Sequence, residues 1–136
     1  MADKLHLEVA SPEGSLVSAE VDDVQAPASD GYIGILPGHA PLLTELGAGV
    51  LTFTQAGVKR HIALVDGFLE AQPHRVRVLA SSASWVGAAE VERARIALQR
   101  ASDILGEHVM EEDVEDAEAA VAAAKAKLDA WEKSRG

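Results

Sequence analysis

Cysteine is absent from this sequence, so it has neither a disulfide framework nor thiolate chemistry, which fits a reducing compartment. Aromatic residues make up only 4%, too few for a platform on which bases stack. Basic residues are also scarce: 12 Lys and Arg stand against 22 Asp and Glu, giving a formal net charge of −10. A surface of that sign repels nucleic-acid phosphates and anionic membrane surfaces. No apolar run approaches the roughly 20 residues that a membrane-spanning helix needs. The opening Met1-Ala2-Asp3-Lys4 carries no apolar core, so no signal peptide is expected. Any link to a membrane is expected to run through a partner.

Several kinds of site chemistry are missing too. His6, His39, His61, His74 and His108 show no HxH, HxxxH or HExxH spacing, so no metal site is predicted. Gly31, Gly34 and Gly38 are followed by neither a Lys-Ser/Thr pair nor a helix, which removes a phosphate loop. Ser81, Ser82 and Ser84 lack the context of a nucleophile elbow and read as linker or helix-capping residues. Asp22 and Asp23 are adjacent on a strand and therefore point to opposite faces. No catalytic residue is predicted, and the chain reads as a non-enzyme.

What is present is a core. Hydrophobic residues make up 48% of 136 positions, enough for one domain or one domain with an appendage. Leu5, Leu7 and Val9 alternate with polar residues, the period of a half-buried strand. Ser11-Pro12-Glu13-Gly14 is turn chemistry, and strands are expected over residues 16–21 and 24–26, with a loop over 27–31. Two apolar segments, residues 32–36 and 42–46, flank Pro37-Gly38-His39-Ala40-Pro41. Proline fixes φ and glycine opens φ > 0, so Pro37-Gly38 should turn the chain sharply, and Pro41 should hold Ala40 extended. Strands follow at 50–54 and 58–65, with Gln55-Ala56-Gly57 as the turn between them. Asp66-Gly67 predicts a type I′ hairpin turn into Phe68-Leu69-Glu70-Ala71. The run from His74 to Ala80 alternates again. Eight to ten short strands with close turns argue for an antiparallel sandwich or flattened barrel.

Near Ser84 the period changes. Val91, Ala94, Leu98, Ala101 and Leu105 form one stripe of an amphipathic helix that Gly106 is placed to end. Val114, Ala117, Val121, Ala124, Leu128 and Trp131 mark a second helix, acidic at its start and basic at its end, as the helix dipole favours. Only Glu107-His108-Val109-Met110 lies between them, so an antiparallel hairpin is expected. Its alanine-rich seam buries little area, which predicts a hairpin that docks on the sandwich, binds a partner, or exchanges between the two.

Three ordered stretches carry a family resemblance: residues 7–31, LEVASPEGSLVSAEVDDVQAPASDG; residues 30–51, DGYIGILPGHAPLLTELGAGVL; and residues 64–80, LVDGFLEAQPHRVRVLA. Together with the two-helix tail they resemble, over essentially the whole chain, the epsilon subunit of F-type ATP synthases. The resemblance implies mainly β plus α: an N-terminal antiparallel β-sandwich of about ten strands over 1–84, then a C-terminal two-helix hairpin over 85–136. It implies a non-catalytic rotor subunit that couples proton-driven c-ring rotation to ATP synthesis. The implied partners are the gamma subunit, the c-ring and the alpha/beta catalytic head. The implied place is the cytoplasmic face of a bacterial inner membrane, held peripherally, in preference to a plastid thylakoid. The implied c-ring contact is Asp30-Gly31-Tyr32, although the family often carries an acid where Tyr32 stands. The implied stalk contact is His39, Ala40, Pro41 and Leu42. The hairpin is implied to inhibit ATP hydrolysis.

Some family members bind ATP in the tail through an Ile/Leu-Asp-x-x-Arg-Ala motif and basic residues on the second helix. The nearest run here places Glu92 for the Asp, Arg95 for the Arg and Ile96 for the Ala, with Ala123 and Lys127 at the basic positions. Lysine does not reproduce the planar arginine fork. The residues themselves equally allow a plain i,i+3 surface pair between Glu92 and Arg95. No cofactor is therefore expected, with ATP the one regulatory ligand to test. A free-standing sandwich-and-hairpin adaptor for another coiled coil is the alternative reading of the whole chain.

Overall fold

In the computed structural model, residues 3–106 and 111–135 are described; the expected helix connection, with His108, lies outside them. Alternating sequence becomes alternating burial. Strand β1 (Leu5–Ser11) buries Leu5, Leu7 and Val9, and β2 (Gly14–Val21) runs antiparallel to it. The chain continues through β3 (Asp23–Ala28), β4 (Gly31–Ile35), β5 (Leu42–Leu46), β6 (Gly49–Gln55), β7 (Val58–Gln72) and β8 (Arg75–Ser84). Eight strands form a sheet in the order β2-β1-β8-β7-β5-β3-β4, with β6 pairing both β3 and β7. Leu5, Leu7, Phe53, Ile62, Leu64 and Leu69 are among the fully buried side chains that close its interior. The expected fold class, a β-sandwich followed by helices, is the one observed.

Four details differ from the sequence expectation. Eight strands stand among the described residues where about ten were expected. The difference begins at Asp66-Gly67, which is not a hairpin turn. Both residues do have positive φ, 48° and 155°, but β7 runs straight through them. The kink lies where β7 changes partner, from β6 over Val58–Leu64 to β5 over Gly67–Ala71. Meanwhile β8 keeps one register along both halves. The two-residue turn with positive φ at both central positions is instead Ala56-Gly57, at 52° and 80°.

Second, Pro27 belongs to β3 rather than to a loop. Opposite Tyr32 it needs no amide donor, and its carbonyl accepts the Gly47 N–H at 2.9 Å. Third, Ser82 and Ser84 extend β8 against Val65 and Ala63 and cap no helix. Fourth, the sheet is not wholly antiparallel: β1 pairs with β8 in parallel, and Arg77 Nε donates to Glu8 at 3.2 Å across that pair.

The helices follow their stripes except at the end of α1, where Leu105 is exposed. Helix α1 (Ala88–Leu105) starts at Gly87, whose N–H donates to the Glu90 carboxylate at 3.1 Å, so glutamate supplies the cap that serine was expected to give. It ends at Gly106 as predicted. Helix α2 (Glu111–Arg135) runs back beside it: Ala97, Ala101 and Ile104 line one cleft with Asp116, Ala117 and Ala120. Val91, Ala94, Ala101, Ala117 and Ala124 are buried, as the seam requires. A second face of α2, Ala126 and Ala130, packs on Val50 of β6, Ala63 of β7 and Val86.

Candidate functional surfaces

The proline-bounded loop is a turn held at two points. His39 N–H donates to the Leu36 carbonyl at 3.1 Å, and Gly38, at φ 86°, takes the third position, which a side chain would strain. Gly38 N–H also donates to the Pro73 carbonyl at 2.7 Å, fastening the loop to the β7–β8 turn. His39 is half-buried with Nδ1 2.6 Å from the Ala40 carbonyl, Ala40 and Pro41 are exposed, and Leu42 packs against the core.

Asp30, Gly31 and Tyr32 lie at the other end of β4. Four residue steps of about 3.3 Å separate Gly31 from Ile35, so the two loops are not brought together. Asp30 is exposed. Tyr32 is 52% exposed, yet its hydroxyl accepts the Val50 N–H at 3.1 Å. A Cβ on Gly49 would stand 2.8 Å from that hydroxyl oxygen and 2.7 Å from Pro27 Cβ. Tyr32 therefore braces β4 against β6 while showing half its surface.

The sequence reading missed an apolar patch on the outer face of the sheet. Phe68 of β7 pairs with Leu79 of β8, and Leu43 of β5 stands two pairs along, opposite Glu70 and diagonal to Phe68, whose own partner on β5 is Glu45. They are 54%, 57% and 71% exposed. Pro12 and Ala10 line the same shallow cleft as Phe68 and Leu79. Alternation along β5, β7 and β8 points each of these residues outward; only strand pairing makes them neighbours.

On the hairpin, Arg95 and Glu92 pair with each other at 3.8 Å on the exposed side of α1, the surface pair that the sequence also allowed. Lys127 is half-buried on α2. The seat of α2 on the sandwich is made of small groups, each buried methyl worth about 0.8 kcal/mol. His61 lies at its edge. On β7, His61 shares a face with Ala63; on β6, its partner Thr52 shares a face with Val50. Both faces look toward α2, and His61 lines a cleft with Ala130 and Ser134. The Thr52 hydroxyl lies 2.8 Å from His61 Nδ1. Burial pushes the His61 imidazole below its ordinary value; Lys133 and then Lys59 push the same way, and Asp129 opposes them.

Residues 4–86 match the family model of the ATP synthase Delta/Epsilon chain beta-sandwich domain, which places the chain among the delta and epsilon chains. The ATP synthase epsilon chain of Solibacter usitatus is 46% identical over 128 residues, covering 94% of this chain and 96% of that one. That of Carboxydothermus hydrogenoformans is 49% identical over 105 residues, 77% of this chain and 78% of its own. The chain belongs to the ATP synthase epsilon chain family. A chain of the Euglena gracilis mitochondrial ATP synthase (OSCP/F1/c-ring) superposes with a TM-score of 0.81 at 20% identity, over 94% of this chain and 81% of that one. At that identity the likeness speaks for the fold. Among the described residues no helix is long and apolar enough to cross a membrane.

Proposed function

We propose that this chain is the non-catalytic rotor subunit that its family membership suggests, coupling c-ring rotation to ATP synthesis. In this reading the sandwich (1–84) binds the gamma subunit and the c-ring, and the hairpin (85–136) reaches the alpha/beta head and restrains ATP hydrolysis. The complex holds it peripherally on the cytoplasmic face of a bacterial inner membrane. Two ends of the sandwich support two partners: the Asp30–Tyr32 loop meets the ring, and the His39–Leu42 loop meets the stalk. Leu43, Phe68 and Leu79 extend the stalk surface, because an exposed apolar patch of this kind marks a protein partner.

The observation that carries the regulatory part is the seat of α2. Its buried centre, among the described residues, is Val50, Ala63, Ala126 and Ala130 with Val86 against them, small groups for a helix of 25 residues. A helix so held can leave its seat without disturbing the core of the sandwich. The test is ATP hydrolysis by a head complex lacking this subunit, with the full chain or a chain ending after Gly87 added back. Slower turnover with the full chain alone supports the reading; equal turnover with both reduces the hairpin to a structural tail.

A further inference from the structure

We propose that His61 is a proton-operated latch: protonation of its imidazole weakens the seating of α2 on β6 and β7, so mild acid releases the hairpin. The proposal rests on the reading of the hairpin as a movable element and adds the signal that moves it.

Strand alternation puts Val50 and Thr52 of β6, and Lys59, His61 and Ala63 of β7, on the face that α2 covers. Ala126 and Ala130 sit on Val50 and Ala63, which leaves His61 half-buried at the edge of the seat, in a cleft with Ala130 and Ser134. Among the described residues, these charged or polar groups lie around the ring. From α2 come Asp129 and Lys133, with the Ser134 hydroxyl lining the cleft. From β7 comes Lys59; Arg60 borders the same cleft but is stacked over Trp85. From β6 comes the Thr52 hydroxyl. That hydroxyl donates to a neutral ring or accepts from a charged one, so it penalises neither form. What opposes the charged ring is its partial burial, then the ammonium of Lys133 on α2 and that of Lys59 on β7; Asp129 softens the effect.

The direction follows from linkage. The seated ring binds a proton less readily than a free imidazole, whose ordinary value is 6.5. The share that α2 supplies, its cover over the ring and the Lys133 ammonium set against Asp129, exists only while the helix is seated, so seating releases protons and is favoured as pH rises. The penalty begins as pH falls through the ordinary histidine range and is complete below the lowered value of the seated ring. Because the seat is made of small side chains, one added charge is a large perturbation of it.

The chain contains no cysteine, so spin labels can be placed cleanly at Ser82→Cys and Ala119→Cys, both exposed, in the full-length protein. Dipolar distances are then read between about pH 8 and about pH 5, the window in which histidine titrates. The expected result is one distance at the alkaline end and a growing second, longer one toward acid. His61→Gln should hold the alkaline distribution throughout, Lys133→Gln should blunt the change, and Asp129→Asn should sharpen it. Ala130→Glu, which puts a charge directly into the seat, serves as the released reference. If Ala130→Glu shows the longer distance and the unsubstituted chain stays flat with pH, the latch is wrong. It is also wrong if His61→Gln keeps the original pH response. Because distance is read rather than hydrolysis, the latch and the inhibitory role of the hairpin fail independently.

Discussion

The guanidinium of Arg60 lies 4.4 Å from the centre of the Trp85 ring, and Trp85 in turn meets Phe53 edge-on at 6.1 Å. The first residue after β8 is thereby pinned to the sandwich core, and the next, Val86, packs against the seat of α2. Trp85→Ala should cost about 2 kcal/mol, less than a fully buried aromatic because Trp85 is half-buried. Arg60→Gln should cost about 0.5–1 kcal/mol, the worth of an exposed cation–π contact. Urea unfolding of both variants checks the order, and equal losses would mean that the stack, not burial, anchors the linker.

Gly67→Ala should be the most damaging single methyl in the sandwich. A Cβ there collides with the Leu79 carbonyl oxygen and lies 2.8 Å from Ala80 Cα, at a φ that side chains rarely adopt. Backbone blocks it on one side and conformation on the other, so a loss of about 3 kcal/mol or more is expected. A shift in the urea midpoint measures it, and a change under about 1 kcal/mol would show that β8 yields easily.

Tyr32→Phe should cost about 1–2 kcal/mol by leaving the Val50 N–H without its hydroxyl acceptor. The exposed ring surface is kept, so any contact of that surface with the c-ring should survive. Loss of coupling in a variant that remains folded would assign the hydroxyl itself to the ring interface.

How far these contacts could be read in advance depended on their range along the chain. Period-two and period-3.6 patterns placed the strands and both seam stripes, because each is local. The Pro37-Gly38 turn was legible for the same reason. Asp66-Gly67 was misread because positive φ at two positions suits a hairpin or a kink alike; the choice is made by β8, which pairs through it. Ala126 and Ala130 escaped notice because alanine is ambiguous on an alanine-rich helix, whose second face gains meaning only from Val50 and Ala63. The Phe68–Leu79 pair was invisible because each is merely one outward residue on its own strand.

Phe68→Glu should leave stability nearly unchanged, since the side chain is already 54% exposed. It should weaken association with the gamma subunit at least about tenfold, as a charge is forced into an apolar interface. Co-purification and titration against gamma check this, and wild-type affinity would remove the patch from the proposed interface.

Titrating ATP into the full chain should give no saturable heat up to about 1 mM, a range corresponding to the weakest useful affinity. Glu92 and Arg95 already satisfy each other on the helix surface. A saturable isotherm that Arg95→Ala abolishes would overturn this.

The parallel pairing of β1 with β8 sets an order on the birth of the molecule. Glu8 and Arg77 are 69 residues apart in sequence, so β1 waits on the ribosome until nearly the whole sandwich has emerged. Until then β2 is its only neighbour, and the edge carrying His6–Ala10 stays open. Contacts of that span slow folding, and an open edge recruits strands from other chains. Slower emergence of Arg75–Ser84 from the ribosome would lengthen that exposure, so aggregation of the nascent chain should rise with the delay before β8 is released.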